Sequence, residues 1–437
     1  MKFTKMSLVA ALLIGSSAFA IDNVKVSGDA KLYYATDDAK TDGISSVTTT
    51  ASDSLFNAGS SAGQAALSLG ITADLTKNIS AGVNTTVLTT LGLQGQLVNN
   101  VWEGTDLVSD SWIVDEAWIA ATVGNTTGKI GRMKLDTPLV FTETWSIVEN
   151  TFEAAVVINQ DIPDTTLVGA YVGGSNGSSL FNGNGTGTNA PVGIANRIQN
   201  NDASYDGSTF SQFYNGAFAA GIVNNSVKPL TVQAWYYDAP QYVDGFWLQA
   251  DVAMEGISAG AQYTQINYNK SNNLAITADS DNDAYAFKLG YEMKDVLSAS
   301  VAYSQTGKET KSGFGLGAAQ NLATLGNNAQ TKLYTEAWWN YGYVTRADTS
   351  ALNVTVTGNA AGIDLGAYYT QTNSDKNGGT AERPDMKELT VTAGKAFGPL
   401  DAKLAYIYTK ADDQNIKVGA TKGSAYNTIQ AYLTLNF

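Results

Sequence analysis

The chain has 437 residues, 15% of them charged and 44% hydrophobic, and it contains neither histidine nor cysteine. Those absences exclude Ser-His-Asp and Cys-His nucleophile pairs, thiolate or imidazole zinc sites, His-ligated haem and disulfide staples. A charged fraction well below the roughly 25% of soluble globular chains, in a chain apolar enough to fold, describes a surface that need not face water.

The first twenty residues read as a secretory signal. Lys2 and Lys5 precede the apolar run Leu8 to Ile14, and Ala18-Phe19-Ala20 forms an A-x-A cleavage site. That run is too short to span a bilayer, and no later segment offers about 18 consecutive apolar residues, so no helical membrane span is expected. Removing the signal takes two lysines with it and leaves 24 basic against 40 acidic side chains, a net charge of −16, which argues against a nucleic-acid partner. Residues 21–437 are read as one domain.

Along that domain the hydrophobic period is two. Val24, Val26, Ala30, Leu32 and Tyr34 alternate with Lys25, Ser27, Asp29, Lys31 and Tyr33; Leu67, Leu69, Ile71, Ala73 and Leu75 oppose Ser68, Gly70, Thr72 and Asp74. Amphipathic helical periodicity is absent. The predicted strands are 24–35, 63–75, 78–91, 112–123, 127–134, 151–160, 165–173, 211–223, 228–237, 242–254, 257–268, 282–292, 296–305, 349–357, 362–371, 386–397, 400–410 and 425–437, eighteen in all. A nineteenth candidate, Leu333 to Val344, is assigned to a loop hairpin, because an antiparallel sheet whose ends meet needs an even count. Short turns near Thr76-Lys77, Gly124 to Thr126, Asp161 to Asp164, Asn224 to Val227, Glu255-Gly256, Met293 to Asp295, Gly358 to Ala361 and Gly398-Pro399 alternate with mostly longer polar connections, including 36–62, 92–111, 174–210 and 306–348.

One pattern recurs: an apolar residue at i, i+2 and i+4, then tyrosine at i+6. It occurs as Leu230-Val232-Ala234-Tyr236, Ile257-Ala259-Ala261-Tyr263, Leu297-Ala299-Val301-Tyr303, Ile363-Leu365-Ala367-Tyr369 and Leu400-Ala402-Leu404-Tyr406. Six strand residues cover about 20 Å, close to the ~25 Å apolar band of an outer-membrane barrel bordered by aromatics. A soluble β-sandwich would alternate too, but the alternation of tight turns and long loops favours the barrel. In hydrocarbon every backbone polar group must be paired internally, so a spanning β-protein has to close. The predicted fold is therefore all-β, a transmembrane antiparallel β-barrel of about eighteen strands. Its last strand, ending at Phe437, pairs with the first and is the segment expected to engage the outer-membrane assembly machinery.

The segment Gly131-Arg132-Met133-Lys134-Leu135-Asp136-Thr137-Pro138, followed by Thr151-Phe152-Glu153-Ala154 and preceded by Glu116-Ala117-Trp118-Ile119, resembles the outer-membrane porin D family and the related major outer-membrane porins. Asn353 to Tyr369 resembles that family's late hairpin, and Tyr432 to Phe437 carries the terminal-Phe pattern of outer-membrane proteins. The resemblance implies eighteen strands with the third loop folded into the lumen. It stops at the arginine ladder of the basic-amino-acid channels: the mature chain has only Arg132, Arg197, Arg346 and Arg383.

If the third loop narrows the pore, the constriction lies in residues 135–150. The expected site comprises Asp136, Glu143 and Glu149 on that loop with Lys129, Arg132 and Lys134 on the strand before it, bases facing acids across a transverse field. Lys129 and Arg132 are three positions apart, so a regular strand turns one of them to the rim or to a neighbouring barrel. Asp115, Glu116, Lys25, Asp29, Lys31, Gln233, Asp251, Gln249, Lys288, Asp364 and Lys403 are expected to line the lumen, and Trp235, Trp247 and Tyr368 to offer an aromatic slide for sugars. Asp279-Ser280-Asp281-Asn282-Asp283 lacks the glycine and glutamate of a calcium loop, with Ala284 and Gly290 at those positions, and reads as a solvated acidic loop.

The expected function is a porin of a Gram-negative outer membrane, a water-filled channel for passive diffusion of ions and small hydrophilic solutes that prefers cations. The alternatives are a substrate-selective channel for sugars, small carboxylates or amino acids, and a surface structural or adhesion barrel, which would need only about eight strands. An enzyme is not expected, since no histidine base, G-x-S-x-G elbow or paired catalytic carboxylates are present, and no cofactor is expected either. The expected partners are outer-membrane lipid and, by analogy with other porins, two further copies in a homotrimer.

Overall fold

The computed structural model describes residues 22–39, 54–89, 91, 98, 111–145, 147–176, 211–240, 242–270, 280–308, 317–324, 329–374, 384–416 and 420–437. The signal at 1–20, most of the loop at 174–210, Arg197, Arg383 and Asp279 lie outside them. Eighteen strands form a single sheet: β1 (Asp22–Asp37), β2 (Ser61–Thr76), β3 (Ile79–Thr89), β4 (Ser111–Val123), β5 (Thr126–Met133), β6 (Phe152–Asn159), β7 (Thr165–Ser175), β8 (Ser211–Asn224), β9 (Leu230–Ala239), β10 (Val243–Met254), β11 (Ile257–Tyr268), β12 (Ser280–Met293), β13 (Leu297–Thr306), β14 (Thr349–Ala360), β15 (Ile363–Ser374), β16 (Met386–Phe397), β17 (Leu400–Ala411) and β18 (Tyr426–Asn436). Each strand is antiparallel to its sequence neighbours, and β1 also pairs with β18, so the sheet closes on itself. The result is the eighteen-stranded antiparallel barrel that the alternation predicts.

The seam is tight. Gly28 N donates to Phe437 O at 2.9 Å and Phe437 N to Gly28 O at 3.0 Å. A Cβ on Gly28 would stand 2.5 Å from Ser68 O and 2.7 Å from the Phe437 ring, so only glycine lets the terminal ring lie flat there.

One rim of the barrel is made of short turns. Glu255-Gly256 and Ala361-Gly362 have positive φ at both residues, the geometry that two-residue hairpins require. β14 runs to Ala360, three residues beyond its predicted end, and moves that turn from Gly358–Ala361 to Ala361-Gly362.

The outer face carries the apolar set. Val232, Val301, Leu365 and Leu404 are exposed at 37% or more, as are Tyr236, Tyr263, Tyr303 and Tyr406 toward the long-loop rim. On β12 the exposed side chains Tyr285, Phe287, Leu289, Tyr291 and Met293 follow one another at every second position. Such a surface is stable only against hydrocarbon. We therefore expect Val301→Arg to lower folding stability by about 2–4 kcal/mol if the residue sits near the bilayer midplane; refolding titrations into lipid vesicles measure this, with an unchanged midpoint contradicting a lipid-facing Val301.

The buried side chains lie inside the barrel, between its wall and two infolded segments. The largest cluster joins Trp235, Tyr237, Trp247, Ile266 and Tyr268 of the wall to Leu139, Leu322 and Leu333 of those segments. Residues 333–344 do not form the expected loop hairpin. They run through turns into a single helical turn, α1 (Gly342–Thr345).

Candidate pore constriction

The third loop leaves β5 at Met133 and returns at β6. Met133 and Phe152 are fully buried and opposite each other, so both ends of the loop are anchored inward. The loop folds back on itself through the Asp136–Phe141 bridge, with Thr137 Oγ1 donating to Val140 O at 2.6 Å. Its tip crosses the lumen: Leu139 is fully buried, and its N–H donates to Tyr237 Oη on β9 at 3.3 Å.

A second segment, described over 317–324 and 329–348, also enters the lumen, where a long outward loop was expected. Phe141 and Asn321 exchange two hydrogen bonds, Phe141 N to Asn321 Oδ1 at 3.2 Å and Asn321 Nδ2 to Phe141 O at 2.8 Å. Leu322 N donates to Leu139 O at 2.8 Å, and Thr144 N to Gln330 Oε1 at 3.0 Å. The wall holds this segment by carboxylates and amides. Glu388 of β16 accepts from the backbone N–H of Trp338, Trp339 and Asn340 at 2.8, 3.1 and 2.9 Å and from Asn340 Nδ2 at 2.7 Å. Gln262 of β11 donates to Lys332 O and accepts from Tyr334 N.

Glu143 joins the two segments. Its Oε1 accepts from Thr324 Oγ1 at 2.6 Å, Gln330 N at 2.9 Å and Asn321 Nδ2 at 3.2 Å, and its Oε2 accepts from Trp145 Nε1 at 2.8 Å. Burial pushes its carboxyl above the ordinary range, and those four donors oppose the shift. It is a buried fastener and not the lumen-facing acid that was expected.

The other third-loop charges do not stand as bases opposite acids, because the described ones are paired locally. Lys134 pairs with Glu149, and Asp136 pairs with Lys332 of the second segment at 2.8 Å, so acids and bases neutralise one another locally. Lys129 points inward with its ammonium 4.2 Å from the centroid of the Trp118 ring. Arg132 takes the other side of the sheet: it stands between the inward Gly131 and the buried Met133, its Nη2 meets Glu153 Oε1 at 3.0 Å, and its Nη1 donates to Val114 O at 2.7 Å. Parity excludes Arg132 from the constriction.

A bulge brings together two acids that a regular strand would separate. On β4, Val114 faces Thr85 and Glu116 faces Asn84, so Asp115 is the extra residue and shares the inner side with Glu116. Asp115 is 5% exposed and accepts from Thr86 Oγ1 and, at 3.3 Å, from Asn84 Nδ2. Lys31 lies 3.7 Å from Asp29, and Lys25 is exposed nearer the short-turn rim. Asp251 accepts from Gln249 and from the Tyr334 hydroxyl, each at 2.6 Å, and Lys288 lies 4.4 Å from the centroid of the Tyr334 ring. Burial and the Asp251 carboxylate both raise the Tyr334 pKa, so the phenol stays a donor. Trp235 and Trp247 are covered by the infolded segments and form no open slide, whereas the Tyr368 ring lies 4.8 Å from that of Trp338, centroid to centroid, tilted by 36°.

Between the infolded segments and the wall of β14 to β18 lies a cavity of about 1050 Å³, bordered by Trp145, Glu336, Trp338, Asp364, Tyr368 and Lys403. Asp281 and Asp283 belong to β12, and no cluster of three metal-capable side chains exists among the described residues. The second infolded segment escaped sequence reading although a signal was present. Ala337-Trp338-Trp339-Asn340-Tyr341-Gly342-Tyr343-Val344 is too aromatic for a solvated loop.

No protein-family model and no curated protein matches the chain. Solved structures do. OccAB1 of Acinetobacter baumannii aligns over 95% of this chain and 97% of its own with a TM-score of 0.68 at 12% identity. OccK8 (OprE) of Pseudomonas aeruginosa aligns over 95% and 98% with 0.65 at 16%, and OccK3 (OpdO) of the same organism over 95% and 96% with 0.63 at 12%. The chain thus has the fold of outer-membrane porins. At such identities the likeness reaches that fold and not the porin D family in particular.

Proposed function

We propose that the chain is a porin of a Gram-negative outer membrane, a water-filled channel through which ions and small hydrophilic solutes diffuse passively. The observation that carries this is the closed eighteen-stranded barrel whose lumen is narrowed, but not filled, by two fastened segments. Barrels of this strand number leave an aqueous passage, whereas a structural anchor needs far fewer strands. The short-turn rim then faces the periplasm and the long loops face outward.

A modest cation preference follows from the net charge and from the half-buried Glu116 with the buried Asp115 behind it, since the third-loop acids are spent on Lys134, Lys332 and the Glu143 fastener. The long-range part is screened once the Debye length falls to about 10 Å at 0.1 M salt, so the preference is strongest in dilute salt. Single-channel recording in a salt gradient tests both statements. Asp115→Asn with Glu116→Gln is expected to move the zero-current potential toward the anion side, and Asp136→Asn to move it less. An absence of channels would end the porin reading, and an unmoved potential in the double variant would end this account of selectivity. The aromatic border of the cavity, Trp338 on Tyr368, favours a second reading, that of a channel selective for particular solutes.

A further inference from the structure

The lumen wall carries the same row of residues twice. Asp251 of β10, Gly260 of β11 and Lys288 of β12 stand opposite one another. Asp364 of β15, Gly394 of β16 and Lys403 of β17 do the same, in the same order around the barrel. In each row the glycine leaves a notch between an acid and a lysine whose backbones are about 10 Å apart, two strand spacings.

The chain itself fills the first notch. Tyr334 lays its phenol over Gly260, where any Cβ would overlap the phenol oxygen. Its hydroxyl donates to Asp251 Oδ1 at 2.6 Å, and the Lys288 ammonium sits 4.4 Å from its ring centroid. Acid and lysine thus hold opposite ends of one neutral ring, the first by a charge-assisted hydrogen bond and the second through the ring quadrupole.

The second notch is open. A Cβ on Gly394 would meet nothing nearer than 3.7 Å. Asp364 Oδ1 accepts from Asn359 Nδ2 at 2.7 Å, and its other oxygen has no donor among the described residues. The Lys403 ammonium lies 4.1 Å from the centroid of the Trp338 ring and has no carboxylate partner among the described residues. Asp364, Gly394, Lys403 and Trp338 all border the cavity described above.

We propose that the Asp364–Gly394–Lys403 notch binds the uncharged, hydroxylated ring of a phenol in the manner in which Tyr334 occupies the first notch. The phenol hydroxyl donates to Asp364, the ring face lies against the Lys403 ammonium, and Trp338 walls one side. An aromatic carboxylate would bring its anion beside Asp364, and an aliphatic polyol has no π face to offer the lysine. A phenol whose pKa is near 10 remains neutral at pH 7 and meets both demands. The inference rests on the channel reading, because a solute reaches the notch only through an open lumen.

The test is single-channel current across a planar bilayer at pH 7 with p-cresol, benzoate or glucose added on the side of the short-turn rim. p-Cresol is expected to interrupt the current in a concentration-dependent way, with benzoate and glucose at least tenfold weaker. Gly394→Val fills the notch from a position with open space above it, and Asp364→Ala removes the acceptor; each is expected to raise the half-blocking p-cresol concentration at least tenfold. Lys403→Met, which keeps the length of the stem, is expected to do the same and serves if either of the other two fails to assemble. Conducting channels that p-cresol does not interrupt, or interrupts equally in parent and Gly394→Val, overturn the notch and leave the porin standing. Benzoate as effective as p-cresol overturns the neutral-ring assignment. A protein that forms no channels overturns the porin and the notch with it.

Discussion

Glu143→Ala is expected to give larger and noisier channels with the parent's ion preference. The substitution removes the acceptor of four hydrogen bonds, three of which tie the third loop to Asn321, Thr324 and Gln330 while the fourth holds Trp145, and it leaves those donors facing a void. Hydrogen bonds to a charged group contribute about 1.5–3 kcal/mol each, and stranded donors add a desolvation cost. A local loss on the order of 3 kcal/mol multiplies the population of loosened segments more than a hundredfold at 25 °C. Mean conductance and open-state noise report it. Glu143→Gln should fall between, because an amide can accept with one end but presents its own donors to Trp145. The preference for cations is expected to stay, since Lys134–Glu149 and Asp136–Lys332 remain paired. If Glu143→Ala shifts the zero-current potential and leaves conductance alone, the residue is a lumen charge after all.

The second large effect is expected at the seam. Gly28→Leu should greatly reduce the yield of assembled barrel, while Gly128→Leu on β5 should leave it near the parent's. The two substitutions are chemically identical and differ in surroundings. A Cβ at position 28 collides with Ser68 O and the Phe437 ring, and one at position 128 meets nothing within 4 Å. Overpacking alone costs about 1–3 kcal/mol, and displacing Phe437 also breaks the two backbone hydrogen bonds to Gly28, at about 1 kcal/mol each. An opened seam would expose a strand edge in lipid. Deleting Phe437 should act in the same direction. Heat-modifiable migration of membrane fractions measures the assembled share, and equal shares for the two leucine variants would refute the seam as a weak point.

Strands were legible because period two is a strong signal over eight or more residues, and register followed, since a slip of one would turn Val301 and Leu404 inward. The constriction was legible only in part. Sequence placed Asp136 and Glu149 on the right loop and Lys134 at the end of the strand before it, one residue past where β5 ends, but each is paired, with Asp136 held by Lys332 nearly two hundred residues away. Nothing local to Asp136 announces that partner. Glu143 reads from sequence as a lumen-facing acid and nothing around Glu388 marks it, because most of the donors to both carboxylates come from a segment folded in from elsewhere in the chain. The bulge at Asp115 was hidden too, because an extra residue changes parity without changing composition. Strict alternation from Trp118 would have sent Asp115 outward.

The outward ion pair Arg132–Glu153 also sets how the barrel meets a bilayer. On β12 the outward apolar positions run from Tyr285 to Met293, about 27 Å of strand and about 20 Å of height at a tilt near 40°. On β5 only Thr126, Gly128 and Ile130 precede Arg132 on that face, about 13 Å of strand and about 10 Å of height. The hydrophobic girdle is therefore lopsided, roughly half as tall at β5 as at β12. Mismatch costs fractions of a kcal/mol per ångström, so hydrocarbon of uniform thickness cannot suit both sides at once. The protein must lean, or it must pinch the leaflets on one flank. In a crowded membrane, that pinched flank gives an otherwise round object a preferred heading.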